Sequence, residues 1–140
     1  MYKLVQALAL KSVVEVLMIA GLVVYFYMTT FNPFVRGWLD KADAHVASGW
    51  ALDVRKPGAK VEVQLYVDGK FVANLTAADP RPDLVRARVS PDETHGYTFN
   101  MPSLDSGDHE AEVYAAGGNS YGTIRTLQRL GDPIRFHSEP

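Results

Sequence analysis

Residues Val13 to Phe31 form a run of 19 in which only Glu15, Thr29 and Thr30 are polar, and from Val16 to Met28 the run is apolar throughout. An α-helix rises ~1.5 Å per residue, so the run covers about 28 Å, close to the ~30 Å hydrocarbon thickness of a bilayer. A chain built this way is expected to hold everything from about Arg36 onward as a domain tethered to a membrane. Signal peptidase needs a small-x-small pattern downstream of the apolar stretch, and Tyr27-Met28-Thr29-Thr30-Phe31 lacks one, so a retained anchor is expected. The partition predicted is an N-terminal segment and anchor over 1–34, a β-domain over 35–137 and a tail over 138–140. Lys3, Lys11 and the amino terminus on one flank, against Arg36 and Lys41 on the other, favour a cytoplasmic N-terminus. The expected location is therefore the inner (plasma) membrane, single-pass, with the domain periplasmic or extracellular.

Charge and composition narrow the classes open to the domain. Without Lys3 and Lys11 the chain's 14 basic residues become 12, and without Glu15 its 16 acidic residues become 15, so the part beyond the anchor is slightly acidic. Nucleic-acid binding, which leans on a dominant basic surface, is not expected. Cysteine is absent, which removes disulfide frameworks and thiolate metal sites. The four histidines, His45, His95, His109 and His137, are widely spaced with no i, i+4 pair, and no cofactor or metal is expected. Asp105-Ser106-Gly107-Asp108 with Glu110 lacks the ordered spacing of a calcium loop and reads as a solvated turn. No strained nucleophile elbow and no phosphate-cradling glycine loop is present, so a non-enzymatic protein is expected.

Past Asn32-Pro33, where proline ends the helix, the period of the apolar residues changes from helical to two. Val61, Val63, Leu65 and Val67 alternate with Glu62, Gln64 and Tyr66, and Asp68-Gly69 then supplies the positive φ values of a tight hairpin. Phe71 to Leu75 forms the return strand. Further strands are predicted at His45 to Val54 around Trp50, at Tyr97 to Met101, at Ala111 to Ala115, after a Gly117-Gly118 turn at Tyr121 to Ile124, and at Pro133 to Phe136. Asp79 to Val89, polar and proline-punctuated, is an ordered connection with room for one helical turn. Six or seven short strands spaced about ten residues apart predict an all-β, immunoglobulin-like antiparallel sandwich behind one transmembrane helix.

The motifs Gly49-Trp50-Ala51-Leu52-Asp53, Val67-Asp68-Gly69-Lys70, Ala77-Ala78-Asp79-Pro80-Arg81-Pro82-Asp83-Leu84, His95-Gly96-Tyr97-Thr98-Phe99 and His109 follow one another in order. Over about Val46 to Ala116 this pattern resembles a small β-sandwich module appended to bacterial glycosyltransferases and large cell-surface proteins. The resemblance implies an envelope or glycan setting. It carries no active site onto this chain, and with an anchor in place of a catalytic partner domain the expected role is accessory.

Two groups of residues stand out as candidate contact surfaces. Trp38, Arg81 and Asp83 are candidates for surface recognition, since indole rings stack on sugars and an Arg/Asp pair can read polar partners. Equally, Trp38 suits the membrane surface, Trp50 suits a sandwich core, and Arg81 and Asp83 flanking Pro82 suit a loop pinned to its own sheet. In the anchor, Glu15, Met18, Ile19 and Leu22 share one face, and a carboxylate inside a span either meets a partner or sits at the interface. The function expected is a membrane-anchored interaction module, an accessory subunit among other integral membrane proteins, with binding of an envelope glycan as the alternative.

Overall fold

The structure, a computed structural model, describes residues 1–30, 34–118 and 125–139. It divides into two compact units, Met1–Pro33 and Phe34–Pro140. The first is a single helix, α1 (Tyr2–Thr30), so the leading apolar residues and the long run merge into one element. Its segment Tyr2–Tyr27 has a mean hydropathy of 2.2 and is long and apolar enough to cross a membrane. Apolar side chains project from every side of it, and Leu22, the least exposed of its large ones, is still 50% exposed. A helix apolar all round is suited to a protein core or to lipid. Lys11 Nζ lies 3.5 Å from Glu15 Oε1 one turn away, so the carboxylate finds its counter-charge within α1.

The second unit is antiparallel β-sheet, the class that the alternation predicts. In chain order it contains β1 (Val35–Ala42), β2 (Val46–Asp53), β3 (Val61–Val67), β4 (Lys70–Ala77), β5 (Asp79–Pro80), the short helix α2 (Pro82–Arg86), β6 (Thr94–Asn100), β7 (Gly107–Gly118), β8 (Arg125–Arg129) and β9 (Ile134–Ser138). One sheet has the order β1-β2-β6-β5 and the other β4-β3-β7-β8, with β9 also paired to β7. Tyr114 pairs with Gln64 on β3 and Arg129 on β8, and Ala111 with Val67 on β3 and Ile134 on β9. Strands β8 and β9 therefore run in succession along the same edge of β7, and the Leu130 amide bridges the gap to the Val113 carbonyl at 2.8 Å.

Both sheets contribute to one core. Val35, Leu39, Ala47, Ala51, Tyr97 and Phe99 come from the first, and Val63, Leu65, Ala111, Val113 and Ala115 from the second. The period of two that is visible in β3 and β7 is the alternation between this core and the outer face. Asp68 (φ 52°) and Gly69 (φ 73°) make the left-handed pair that a two-residue hairpin requires.

Four expectations change. Strand β1 has no clean alternation because a bulge between Leu39 and Lys41 leaves Asp40 without a partner, which hides the strand from a pattern reading and places Trp38 in a sheet. Trp50 is only half-buried on the outer face. The inward positions of β2 are taken by Ala47, Gly49 and Ala51, because the Tyr97 ring fills the space above Gly49. Gly117 and Gly118 continue β7 and do not form a turn. Strand β9 carries pairing through Ser138, which is buried, so regular structure extends into the expected tail. The proline stop at Asn32-Pro33 and the strand at Tyr121 to Ile124 lie outside the described residues.

Candidate functional site

Trp50, Asp79, Arg81, Asp83 and Gly96, drawn from three of the motifs, meet Trp38 on the outer face of the β1-β2-β6-β5 sheet, whereas Val67-Asp68-Gly69-Lys70 and His109 lie in the other sheet. Trp38 stands directly opposite Trp50, Trp50 opposite Gly96, and Gly96 opposite Asp79, which makes one cross-strand row. Directly opposed residues project to the same side, so both indoles lie on this face. Trp38 is 49% exposed, and its ring lies against Gly131, where a Cβ would come within 2.9 Å of Trp38 Cδ2. Gly96 leaves a gap in the row, and the Arg81 side chain fills it: a Cβ on Gly96 would stand 2.7 Å from Arg81 Cγ and 2.9 Å from the Asp79 carbonyl.

From that cradle the Arg81 guanidinium forks in two directions. Nε and Nη2 donate to the two carboxylate oxygens of Asp83, both at 2.8 Å, while Nη1 donates to Asp40 Oδ2 at 2.7 Å. The bulge at Asp40 turns its carboxylate toward Arg81. Charge-assisted donation from Arg81 draws the Asp83 pKa down to about 2 and holds Arg81 above its ordinary value. The structure thus brings Trp38, Arg81 and Asp83 to one face. Sequence reasoning missed Asp40, whose only signal was an extra residue breaking the alternation of β1.

Below the same strands the motifs serve the core. Tyr97 donates its hydroxyl to the Trp38 carbonyl at 2.9 Å across the space that Gly49 leaves open, and burial pushes its pKa far above the usual phenol value. Leu84 is a buried plug on α2. His95 is fully buried, with Nε2 3.2 Å from Asp92 Oδ1 but without the alignment of a hydrogen bond. Asp92 is engaged by the Thr94 amide at 2.9 Å and hydroxyl at 2.8 Å and by Lys60, which holds its carboxyl well below the usual range.

A second concave region, about 650 Å³, lies at the hairpin end of the other sheet and is lined by Asp68, Asp108, His109, Glu110, Arg135 and His137 among others. His109 bridges Asp68 Oδ2 at 2.7 Å through Nδ1 and the Asp105 carbonyl at 2.8 Å through Nε2. Both partners are acceptors, so only the imidazolium satisfies both, and the His109 pKa is raised by Asp68 first and Asp105 second. Asp68 is lowered in turn, by His109 and then by the Glu110 amide at 2.9 Å. The two pKa shifts have opposite signs, and so do their effects on stability with pH. The raised histidine stabilises the fold below its unfolded pKa of ~6.5, a contribution lost as pH climbs through its higher folded value. The lowered Asp68 stabilises above its unfolded value of ~3.9 and loses that effect as pH falls through its lower folded value. Thermal midpoints measured from about pH 5 to about 9 should fall through the alkaline half of that range, and His109→Gln should flatten the decline. An unchanged slope in the variant would remove His109 from the pH response. The other two side-chain pairs of the cleft, His137 with Asp108 at 2.7 Å and Arg135 with Glu110 at 2.9 Å, are more exposed.

The outer face of the second sheet carries an aromatic chain that the alternation did not single out. Tyr66 meets Phe71 edge-on at 5.7 Å between centroids and Tyr114 edge-on at 5.3 Å. Phe71 is 55% exposed because the bulge between Leu65 and Tyr66 shifts β4 by one residue. Leu127, opposite Ala116, adds a further exposed apolar side chain. Among the described residues no three histidine or acidic side chains form a group able to hold a metal ion. On α1, Glu15, Met18, Ile19 and Leu22 are all exposed. Compared with known proteins, the chain matches no family model and no curated relative.

Proposed function

We propose that this protein is a single-pass, membrane-anchored interaction module that works as a non-enzymatic accessory subunit of a membrane protein complex, with an immunoglobulin-like sandwich as its recognition domain. The observation that carries the reading is α1, whose apolar side chains are exposed on every side over Tyr2–Tyr27. Such a helix is stable in lipid or against other apolar helices and is an aggregation hazard anywhere else. Two features of the domain support the rest. Its sheet orders, β1-β2-β6-β5 and β4-β3-β7-β8, follow the arrangement of an immunoglobulin sandwich in which the second strand crosses to the sixth and the third to the seventh. The Tyr66, Phe71, Tyr114 and Leu127 surface is the kind of aromatic patch that fits a protein contact. Lys3, Lys11 and the amino terminus on one flank of α1 support a cytoplasmic N-terminus with the domain outside.

Binding of an envelope glycan is a second reading, favoured by the half-exposed Trp38 indole beside the polar Asp40–Arg81–Asp83 cluster. One experiment separates the two. After mild detergent extraction, the full chain should migrate with other membrane proteins in a native gel, well above its own 15.5 kDa. Glu15→Leu, or Met18→Ala with Leu22→Ala, should reduce that association if the helix carries it, and Tyr66→Ala with Phe71→Ala should do so if the sheet face carries it. Migration as an isolated chain, together with retention on immobilised envelope glycan that Trp38→Ala abolishes, would replace the subunit reading with the glycan one.

A further inference from the structure

Five cations crowd one end of the β-domain without an ion pair among the described residues. Arg36 opens β1, Arg55 and Lys56 follow β2, and Arg86 and Arg88 end α2, all exposed. Arg36 comes close to Arg55 and Lys56 because Val35 pairs with Asp53 and the Val54 amide donates to the Phe34 carbonyl at 2.8 Å, and Arg36 and Arg88 line one concavity. The Arg55 guanidinium lies 3.9 Å above the Phe34 ring. Three acidic groups share this end and are outnumbered by the cations. Asp53 accepts from the amides of Arg55 at 2.8 Å and Lys56 at 3.1 Å, Asp92 is taken up by Thr94 and Lys60, and Glu93 is exposed. At the opposite end Asp43, Asp68, Asp105 and Asp108 are interleaved with Lys41, His109 and Arg135, so no comparable cluster of unpaired cations forms there among the described residues.

Between the cations lies a concavity of about 430 Å³ whose floor is apolar, with Val54, Pro57, Val85 and Val89 set between Arg36 and Arg88. Val54 is 46% exposed. An apolar floor between two guanidinium groups that make no ion pair among the described residues is suited to a group with an anionic head and a hydrocarbon flank.

Arg88 occupies a position that most helices give to glycine. The Val89 amide bonds the Leu84 carbonyl at 2.8 Å and the Arg88 amide the Val85 carbonyl at 3.0 Å, which is the double closure of a Schellman cap. Its C′ residue must be left-handed, and Arg88 has φ 58°. A side chain held there against the backbone preference points to a use beyond folding.

Which surface this end meets follows from chain length. Residues 31–34 are all that separates Thr30, the last residue of α1, from Val35, the first of β1, and a trans chain extends at most ~3.6 Å per residue. An end so tethered to a bilayer-spanning helix cannot leave the headgroup region by more than about 18 Å.

We infer that this basic, apolar-floored end of the domain binds the phosphate headgroups of anionic lipids in its own bilayer, with Arg36 and Arg88 as the phosphate ligands and Val54, Pro57, Val85 and Val89 against the glycerol and upper acyl region. The inference rests on the membrane anchorage proposed above. Charge complementarity selects the occupant: juxtamembrane cations gain from anionic leaflets and lose that gain in salt.

The absence of cysteine makes the test direct. Full-length protein carrying Ala87→Cys, labelled with an environment-sensitive dye beside Arg88, is placed in nanodiscs of phosphatidylcholine alone or mixed with phosphatidylglycerol. Dye emission should rise about threefold in the anionic discs and return to the neutral-disc value at ~1 M salt, where the screening length is ~3 Å. Arg36→Gln should at least halve the rise. Arg88→Gly should abolish most of it while raising the thermal midpoint, a combination that a purely structural arginine would not produce. Equal emission in both disc types, or a full rise retained by Arg88→Gly, would overturn the inference and leave anchorage intact. A rise produced by inorganic phosphate in neutral discs would replace the lipid with a free anion. Failure to enter discs of either composition would instead remove the anchorage, and this proposal with it.

Discussion

Gly49→Val is expected to destabilise the β-domain by ~3 kcal/mol or more, lowering its thermal midpoint by on the order of 15 °C, or to prevent folding outright. Any Cβ on Gly49 would collide with the Trp38 carbonyl, which is backbone, and would fall 2.5 Å from the Tyr97 hydroxyl. Neither obstacle yields cheaply. The carbonyl belongs to the β1–β2 ladder, and Tyr97 is 1% exposed with its hydroxyl committed to that same carbonyl. Residues 34–140, melted by circular dichroism, provide the measurement. A shift of a few degrees would show that the two strands can separate at this point and that Tyr97 does not fill the space. Gly58→Val is the internal control, because nothing lies within 4 Å of a Cβ there.

Leu65→Ala should cost ~3 kcal/mol, within the 2–5 kcal/mol found for buried leucines, and Leu127→Ala should change stability by under ~0.5 kcal/mol. Leu65 is 0% exposed at the centre of β3, between β4 and β7, whereas Leu127 is 49% exposed on the outer face. Denaturant titration of the two variants against the parent, with unchanged slope, gives the difference directly. Comparable losses from both would mean that the outer face of the second sheet is covered, and the aromatic patch of Tyr66, Phe71 and Tyr114 would then be core and unavailable to a partner.

The candidate site illustrates how far residue patterns reach. Trp38, Arg81 and Asp83 were each legible as unusual, an indole close behind an apolar helix and an Arg/Asp pair around a proline. Their chemistry was open because two of them could as well be a loop clasp, and the geometry shows most of the Arg81 fork already engaged by Asp83 and Asp40. Asp40 carried no local signal, since a bulge is one extra residue in a strand and looks like noise in an alternation. Trp50 failed for a different reason. The residue type argued for the core, but strand parity is set by the neighbours, and Gly49 is the inward position because Tyr97, from a strand almost fifty residues away, needs the room.

By itself the sequence determined the elements whose cause is local. The apolar run dictates α1 through its length, the alternation from Val61 dictates β3 through the two-residue pleat, and Asp68-Gly69 dictates the hairpin through positive φ. Tertiary structure alone decided which distant residues share a surface. The Trp38–Trp50–Gly96 row, the Arg81 cradle and the gathering of Arg36 and Arg88 around one concavity all depend on the pairing of β1 with β2 and β2 with β6. A strand's own residues state its period and its faces, but which strand lies beside it, and in what register, is set by the packing of the whole core, and surface chemistry inherits that choice.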